Sequence, residues 1–364
     1  VADARPARQA AVRQALLEAH LDGLVVTALP NIRWLTGFSG SNALLVVTTR
    51  DVLLFTDFRY ETQAADEAGD VARVVIEPSS LWTGLWRELA GLAGLDVLGF
   101  ESAHLLHRDF ARLLDPATGG RWQWRPTTDL VETPRQVKDP GEVAHIAAAA
   151  AMAEHALTRV LAQVRIGMTE QAICGLLERE LREAGSETAP FEPIVATGPR
   201  SALPHARPTG RALGRGEFLL LDFGARTQGY VSDITRTVVA GPADGRQQAV
   251  HDIVREANAR ARAQVRAGMT GQDADALARR YIEAQGEGAA FGHSLGHGIG
   301  LEVHEAPRLS KSGTDPLPAG AVVTIEPGIY HAGWGGVRIE DDVVLLPTGA
   351  QLLTQSPREL LSVG

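Results

Sequence analysis

The sequence predicts a two-domain chain: an α/β domain over residues 1–128, a linker over 129–139, and an internally duplicated α+β domain over 140–364. Three observations predict it. The first third mixes short β-rich apolar runs with helical patterns, as in a sheet covered by helices. A polar, charged stretch, TTDLVETPRQVKD, is broken by Pro134 and marks a join. The remainder repeats itself: AQVRIGMT at 162–169 returns as AQVRAGMT at 263–270.

At 364 residues the chain has room for two cores. Its hydrophobic fraction of 45% and charged fraction of 22% are ordinary for a globular protein. A net charge of −9 disfavours nucleic acid or an anionic membrane as the partner. The single cysteine, Cys174, excludes an intrachain disulfide and fits a reducing, cytoplasmic setting. No apolar run is long enough to span a bilayer. The N-terminal stretch carries charges throughout and reads as a surface helix rather than a signal sequence.

Helical spacing over 5–20 places Val12, Leu16 and Leu17 on one side. Strand-like runs follow at 24–27, 43–48, 52–55, 73–76 and 97–100, with helical patterns at 60–68, 81–90 and 103–114. NIRWLTGFSG (31–40) and DFRY (57–60) read as loops rich in polar and aromatic groups. After the linker, Asp139-Pro140-Gly141-Glu142 predicts a helix start with a capping box. In each repeat Gly-Met-Thr ends one helix and caps the next. Each half then reaches a hairpin.

The first hairpin is FLLLDFGARTQGYVSDITRTVV (218–239). A tip at Thr227-Gln228 sets Asp222 opposite Asp233 on one sheet face. The second, at 322–346, turns about Gly333 and sets Glu326 opposite Glu340. Opposed carboxylates repel, so two such pairs in a duplicated unit predict a shared cation site. Between the hairpins lies FGHSLGHGIGLEVHEAP, with His293, His297 and His304. Its glycines argue against a helix and allow backbone to pack close to a ligand. Four carboxylates and one of these histidines exceed a three-ligand catalytic zinc site and suit two divalent ions. Oxygen-rich ligation favours Mn²⁺, Mg²⁺ or Ca²⁺, and imidazole extends the range to Co²⁺, Fe²⁺ and Zn²⁺. Such ions lower the pKa of water and supply a nucleophile without Ser or Cys.

These residues resemble the metallopeptidases of the pita-bread fold, the group of methionine aminopeptidase, aminopeptidase P and prolidase. The matching residues are Asp222 in LDFG, Asp233 in SDITRT, His297 in GHGIG, Glu326 in IEPG and Glu340 in RIED. The resemblance implies that these five hold two divalent ions, Mn²⁺ first, with Co²⁺, Zn²⁺ or Fe²⁺ as alternatives. The first 128 residues resemble the creatinase-type domain of the proline-specific branch. By resemblance, His293 and His304 contact the scissile carbonyl and His205 lines the substrate site. Glu326 takes the proton of the attacking water, Arg338 steadies the ligating carboxylates, and Tyr330 lies beside the substrate. Arg308 stands where some relatives hold a dipeptide's carboxylate.

The expected fold is therefore a creatinase-like α/β domain followed by a pseudo-two-fold pita-bread catalytic domain. The expected activity is that of an Xaa-Pro aminopeptidase acting on peptides with proline second, with an Xaa-Pro dipeptidase (prolidase) as the alternative. Creatinase-like amidine hydrolysis and a non-catalytic binding protein are remoter readings. Relatives imply a homodimer.

Overall fold

The computed structural model describes residues 3–118 and 120–364. The chain divides into two compact units, Val1–Arg135 and Gln136–Gly364. The division falls inside the expected linker because a helical turn, Glu132–Arg135, is tied into the first unit. There Asn31 donates to Glu132 Oε1 at 2.6 Å and Arg135 donates to Asn31 Oδ1.

In the first unit the helices are α1 (Arg5–Glu18), α2 (Leu29–Thr36), α3 (Glu61–Ala68), α4 (Leu81–Gly91), α5 (His107–Leu113) and α6 (Glu132–Arg135). The strands are β1 (Gly23–Val26), β2 (Leu44–Thr48), β3 (Val52–Thr56), β4 (Arg73–Ile76), β5 (Val97–Glu101) and β6 (Gln123–Thr127), in spatial order β4-β3-β2-β1-β5-β6. β1–β5, β5–β6 and β3–β4 are parallel, and the β1–β2–β3 meander is antiparallel. Every residue of β1, β2 and β3 is buried, as a sheet covered on both faces requires. The NIRWLTGFSG stretch corrects the expectation of a loop. Its first half belongs to α2, which opens with Pro30 in its first turn and closes on Gly37 at φ 85°. Eight residues are too few for a helical period to stand out in sequence.

The second unit contains α7 (Pro140–Gln163), α8 (Glu170–Glu183), α9 (Gly245–Gln264) and α10 (Gly271–Ala284). Asp139 caps α7 through Gly141 N and Glu142 N, and Glu142 answers on Asp139 N, completing the expected box. Thr169 and Thr270 cap α8 and α10, each two residues after a glycine of positive φ. The repeat is thus realised as two helix pairs.

Each pair covers a buried sheet. The first has order β19-β11-β8-β7, from β7 (Ile194–Thr197), β8 (Phe218–Phe223), β11 (Ile234–Ala240) and β19 (Ser362–Val363). The short β9 (Arg226–Thr227) and β10 (Tyr230–Val231) continue its hairpin. The second has order β13-β12-β14-β17-β18, from β12 (Gly296–Gly298), β13 (Glu305–Leu309), β14 (Val322–Ile325), β17 (Asp341–Leu346) and β18 (Gly349–Leu352). β15 (Gly328–His331) and β16 (Gly335–Arg338) pair with each other at the hairpin end.

The two hairpin registers came out differently. In the second, Gly328 faces Arg338 and Ile325 faces Asp341, so Glu326 and Glu340 fall opposite each other as expected. In the first, Thr235 rather than Asp233 faces Asp222. The tip is Gln228-Gly229, not Thr227-Gln228. Both tip residues have positive φ, 49° and 77°, the requirement of a type I′ turn. Asp233 lies two residues before Thr235, so it keeps the face of Asp222 on the diagonal.

Helix α9 buries His251 at 1% exposure, and its Nδ1 has no hydrogen-bond partner among the described residues. Burial drives its pKa down to about 4. The unfolded chain binds this proton near 6.5, so stability falls as pH drops from there toward 4, by on the order of 3 kcal/mol. Denaturant melts at pH 7 and 4.5 should show that loss in the parent and a smaller one in His251→Leu. Equal pH slopes in the two proteins would refute it.

Candidate metal centre and active site

The two hairpins touch along β11. Glu340 N donates to Thr235 O at 3.1 Å, Arg338 N to Thr237 Oγ1 at 3.2 Å, and Asp233 N to Asp342 Oδ2 at 3.1 Å. This contact brings the carboxylates of both repeats to one cavity of about 450 Å³ in the second unit. Asp222 comes from buried β8, Asp233 from the entry to β11, Glu326 from the exit of β14, and Glu340 from the link between β16 and β17. His297 sits mid-way along β12 between two glycines. A Cβ on Gly296 would meet Thr324 O at 2.0 Å, and one on Gly298 would meet Ala306 O at 2.2 Å. These glycines admit neighbouring backbone, not a ligand as the sequence suggested.

All five predicted metal ligands line the cavity. Ligand atoms of Asp233, His297 and Glu340 lie within 4.8 Å of one another. His297 Nε2 is 3.4 Å from Glu326 Oε1 and 3.9 Å from Asp233 Oδ2. Its Nδ1 faces Gly298 O at 3.2 Å, a carbonyl that can only accept, so Nε2 is the free lone pair. Asp222 is ion-paired with Arg338. Thr235 Oγ1 donates to Glu340 Oε2 at 2.5 Å.

The electrostatics fit a bound cation. Burial, then the charges of Glu340 and Asp222, push Asp233 well above the usual carboxylate range. Burial and Glu340 do the same to Glu326, and burial with Asp222 lifts Glu340 to about 8. Burial lowers His297 to about 3, which keeps its imidazole neutral and able to ligate. Asp233 Oδ1 is buried with no hydrogen-bond partner among the described residues. A buried carboxylate oxygen left bare is costly unless a cation meets it.

The remaining predicted residues separate into two groups. His205, His293, His304, Arg308 and Arg338 line the cavity with the ligands. Tyr330 does not. Its hydroxyl accepts from Arg338 Nη1 at 2.7 Å and bonds His293 Nε2 at 2.9 Å, behind the cavity wall. The other nitrogen of His293 faces Ser294 O at 2.8 Å. Both ring nitrogens of His293 are therefore engaged in this structure. Tyr330 thus ties His293 to Arg338 through its hydroxyl. His205 and His304 have no hydrogen-bond partner among the described residues. Burial, then Arg308, lowers the pKa of His304, so it stands neutral.

Sequence reasoning missed the residues that hold this lining in place. Asp275 accepts from Leu295 N at 3.0 Å, and Arg279 donates to Phe291 O and His293 O, fixing the His293 segment. Fully buried Glu170 accepts from Thr197 N and Oγ1, Arg200 Nε, and Thr209 N and Oγ1. It thereby pins both ends of the segment that carries His205. Its only sequence signal was its place one residue after a helix cap. Glu170→Gln gives up charge-assisted bonds of about 1.5–3 kcal/mol. The expected result is a lower denaturation midpoint and reduced kcat/KM at unchanged metal content. Unaltered kinetics would detach Glu170 from the His205 segment.

A family model described as metallopeptidase family M24 matches residues 144–347, and one described as the creatinase/prolidase N-terminal domain matches 8–137. The chain belongs to metallopeptidase family M24. The M24 assignment makes the second unit a pita-bread catalytic domain and the first a creatinase-type domain, in line with solved relatives. One is the Xaa-Pro dipeptidase from Bacillus anthracis, 36% identical, covering 99% of this chain and 100% of that one at a TM-score of 0.95. Another is the X-Pro aminopeptidase from Thermotoga maritima MSB8, 37% identical over 98% and 99% at a TM-score of 0.90. A curated relative, the Xaa-Pro dipeptidase of Pyrococcus horikoshii, is 32% identical over 343 residues, 94% and 95% of the two chains. No helix among the described residues is long and apolar enough to cross a membrane.

Proposed function

We propose that this M24 metallo-exopeptidase is an Xaa-Pro dipeptidase. The order of the two expected activities is thus reversed. Full-length similarity to dipeptidases from two organisms supports the change. The observation that carries it is Arg308. On β13 it pairs directly opposite His297 of β12, and it lines the same cavity. It has no carboxylate partner among the described residues. A guanidinium in that position suits the free carboxylate of a dipeptide. Phe191, Pro193, Ile194 and Val303 form an apolar part of the wall, suited to a prolyl ring.

Asp222, Asp233, His297, Glu326 and Glu340 would hold two divalent ions, with Mn²⁺ the expected species. Bound there, such ions supply Lewis acidity and lower the pKa of water from about 15.7 to about 7. Glu326 accepts the proton of the attacking water at its carboxylate. His304, neutral and with both ring nitrogens free, donates to the developing oxyanion. His293 joins it only by giving up its bond to Tyr330. Arg338 is ion-paired with Asp222 and fixes its orientation, and His205 contributes to substrate contact. The X-Pro aminopeptidase relative favours the second reading, cleavage of longer peptides. Comparing kcat/KM on Xaa-Pro and Xaa-Pro-Yaa decides: a preference for the tripeptide overturns the dipeptidase reading.

The single cysteine, half-buried with its thiol pushed up to about 11 by burial, is consistent with a cytoplasmic setting. A homodimer completes the proposal, and sedimentation velocity tests it.

A further inference from the structure

The internal duplication leaves one mismatch that the active site does not use. In the first helix pair, Arg159, Gln163 and Arg179 converge on Glu180. Arg159 Nε lies 2.8 Å from Oε2, and Gln163 Nε2 and Arg179 Nη2 lie 2.9 Å and 2.7 Å from Oε1. The Glu180 side chain is 1% exposed. Hydrogen bonds from Arg179, then Arg159 and Gln163, hold its pKa down to about 2. Glu183 adds a second carboxylate, 3.7 Å from Arg179. This is a built carboxylate cradle, closed by the chain itself.

In the second helix pair the donors return and the acids do not. By the spacing that relates the two AQVR segments, Arg159, Gln163 and Arg179 correspond to Arg260, Gln264 and Arg280. Glu180 corresponds to Tyr281, and Glu183 to Ala284. Arg280 and Gln264 are exposed and have no hydrogen-bond or ion-pair partner among the described residues. Arg260 keeps one acid, Glu256 at 2.7 Å, and its guanidinium lies over the Tyr281 ring at 4.3 Å. Arg266 adds a further positive charge at the rim. These groups line a groove of about 790 Å³ between α9 and α10. The acid on its wall, Asp273, is turned to the α10 cap, where Thr270 Oγ1 donates to it at 2.8 Å.

We propose that this groove binds an organic carboxylate from solution, in the place where the first repeat keeps Glu180. The three donors that suffice for an internal carboxylate are conserved in kind, and the two carboxylates that would fill them are deleted. An arginine fork recognises carboxylate by paired hydrogen bonds. The Tyr281 ring and Leu277 offer an apolar seat for a short hydrocarbon stem.

Glutarate, a diacid with the stem of a glutamate side chain, is the probe. Calorimetric titration of the full metal-loaded chain should show saturable binding, with a Kd of ~1 mM. Arg280→Ala should weaken it at least ~10-fold, about 1.4 kcal/mol. Tyr281→Glu restores the internal acid and should abolish it while leaving dipeptide hydrolysis unchanged and the melting temperature equal or higher. Any glutarate bound at the active site persists in both variants and is subtracted. Two results overturn the proposal: no saturable binding in the parent, or binding that neither variant weakens. Loss in Arg280→Ala with full retention in Tyr281→Glu also overturns it, because the ligand then does not occupy the place of Glu180.

Discussion

Asp233→Asn is expected to lose turnover by at least ~10³-fold, about 4 kcal/mol of barrier, together with part of the bound metal measured by elemental analysis. Asp233 contributes the bare, buried Oδ1 and sits within ligand distance of His297 and Glu340. The same change should stabilise the metal-free protein, and that sign is the sharper test. Without cations, Asp233, Glu326 and Glu340 are pushed above the usual carboxylate range by burial and by one another. They titrate as a coupled set. Groups with raised folded pKa values give stability that is full below about 4, near their unfolded values, and is lost as pH rises toward 8, the value to which Glu340 is lifted. The metal-free parent should therefore melt higher at pH 5.5 than at pH 8.5, and divalent ions should remove most of that difference. Asp233→Asn deletes one of the repelling charges, so its metal-free form should lose less over the same range. A variant that kept its metal and its rate would end the assignment of Asp233 as a ligand.

The legible parts of this molecule were those governed by short-range rules. The Asp139 capping box, the Thr169 and Thr270 caps, and the glycines before them depend on neighbours within a few residues, and each appeared where the sequence put it. In the second hairpin a turn about Gly333, which stands at φ 79°, gives the observed register. In the first the tip lies one residue beyond the expected one, since Thr227, Gln228 and Gly229 all suit a turn and only the paired positive φ values choose among them. Even so, Asp222 and Asp233 stayed on one face, because their separation across the tip tolerates a diagonal as well as a direct pairing. What could not be read were contacts between distant segments. Glu170 to Thr209, Asp275 to Leu295, Arg338 to Tyr330 and Thr235 to Glu340 leave no local periodicity. The engagement of both His293 nitrogens belongs to the same class. It separates His293 from His304, whose ring has no hydrogen-bond partner among the described residues, a difference that a list of histidines in sequence has no means to rank.

Arg308→Ala is expected to lower kcat/KM for an Xaa-Pro dipeptide by about 10- to 100-fold, 1.4 to 2.7 kcal/mol, while an Xaa-Pro-Yaa tripeptide changes little. Antiparallel pairing with His297 puts the Arg308 side chain on the ligand-bearing face, and its exposed guanidinium has no competing acid among the described residues. An exposed charge contact is worth less than a buried one, which sets the modest range. The dipeptide carboxylate does not change charge during bond cleavage, so the contact should serve ground state and transition state alike. The loss should then appear mainly in KM, with kcat nearly preserved. A residue that merely braced β13 would instead harm both substrates and lower kcat, because β13 pairs with the strand of His297. Arg308→Lys keeps the charge without the two-pronged geometry and should recover part of the dipeptide activity. Equal losses on dipeptide and tripeptide would leave Arg308 a structural residue and return the aminopeptidase reading to first place.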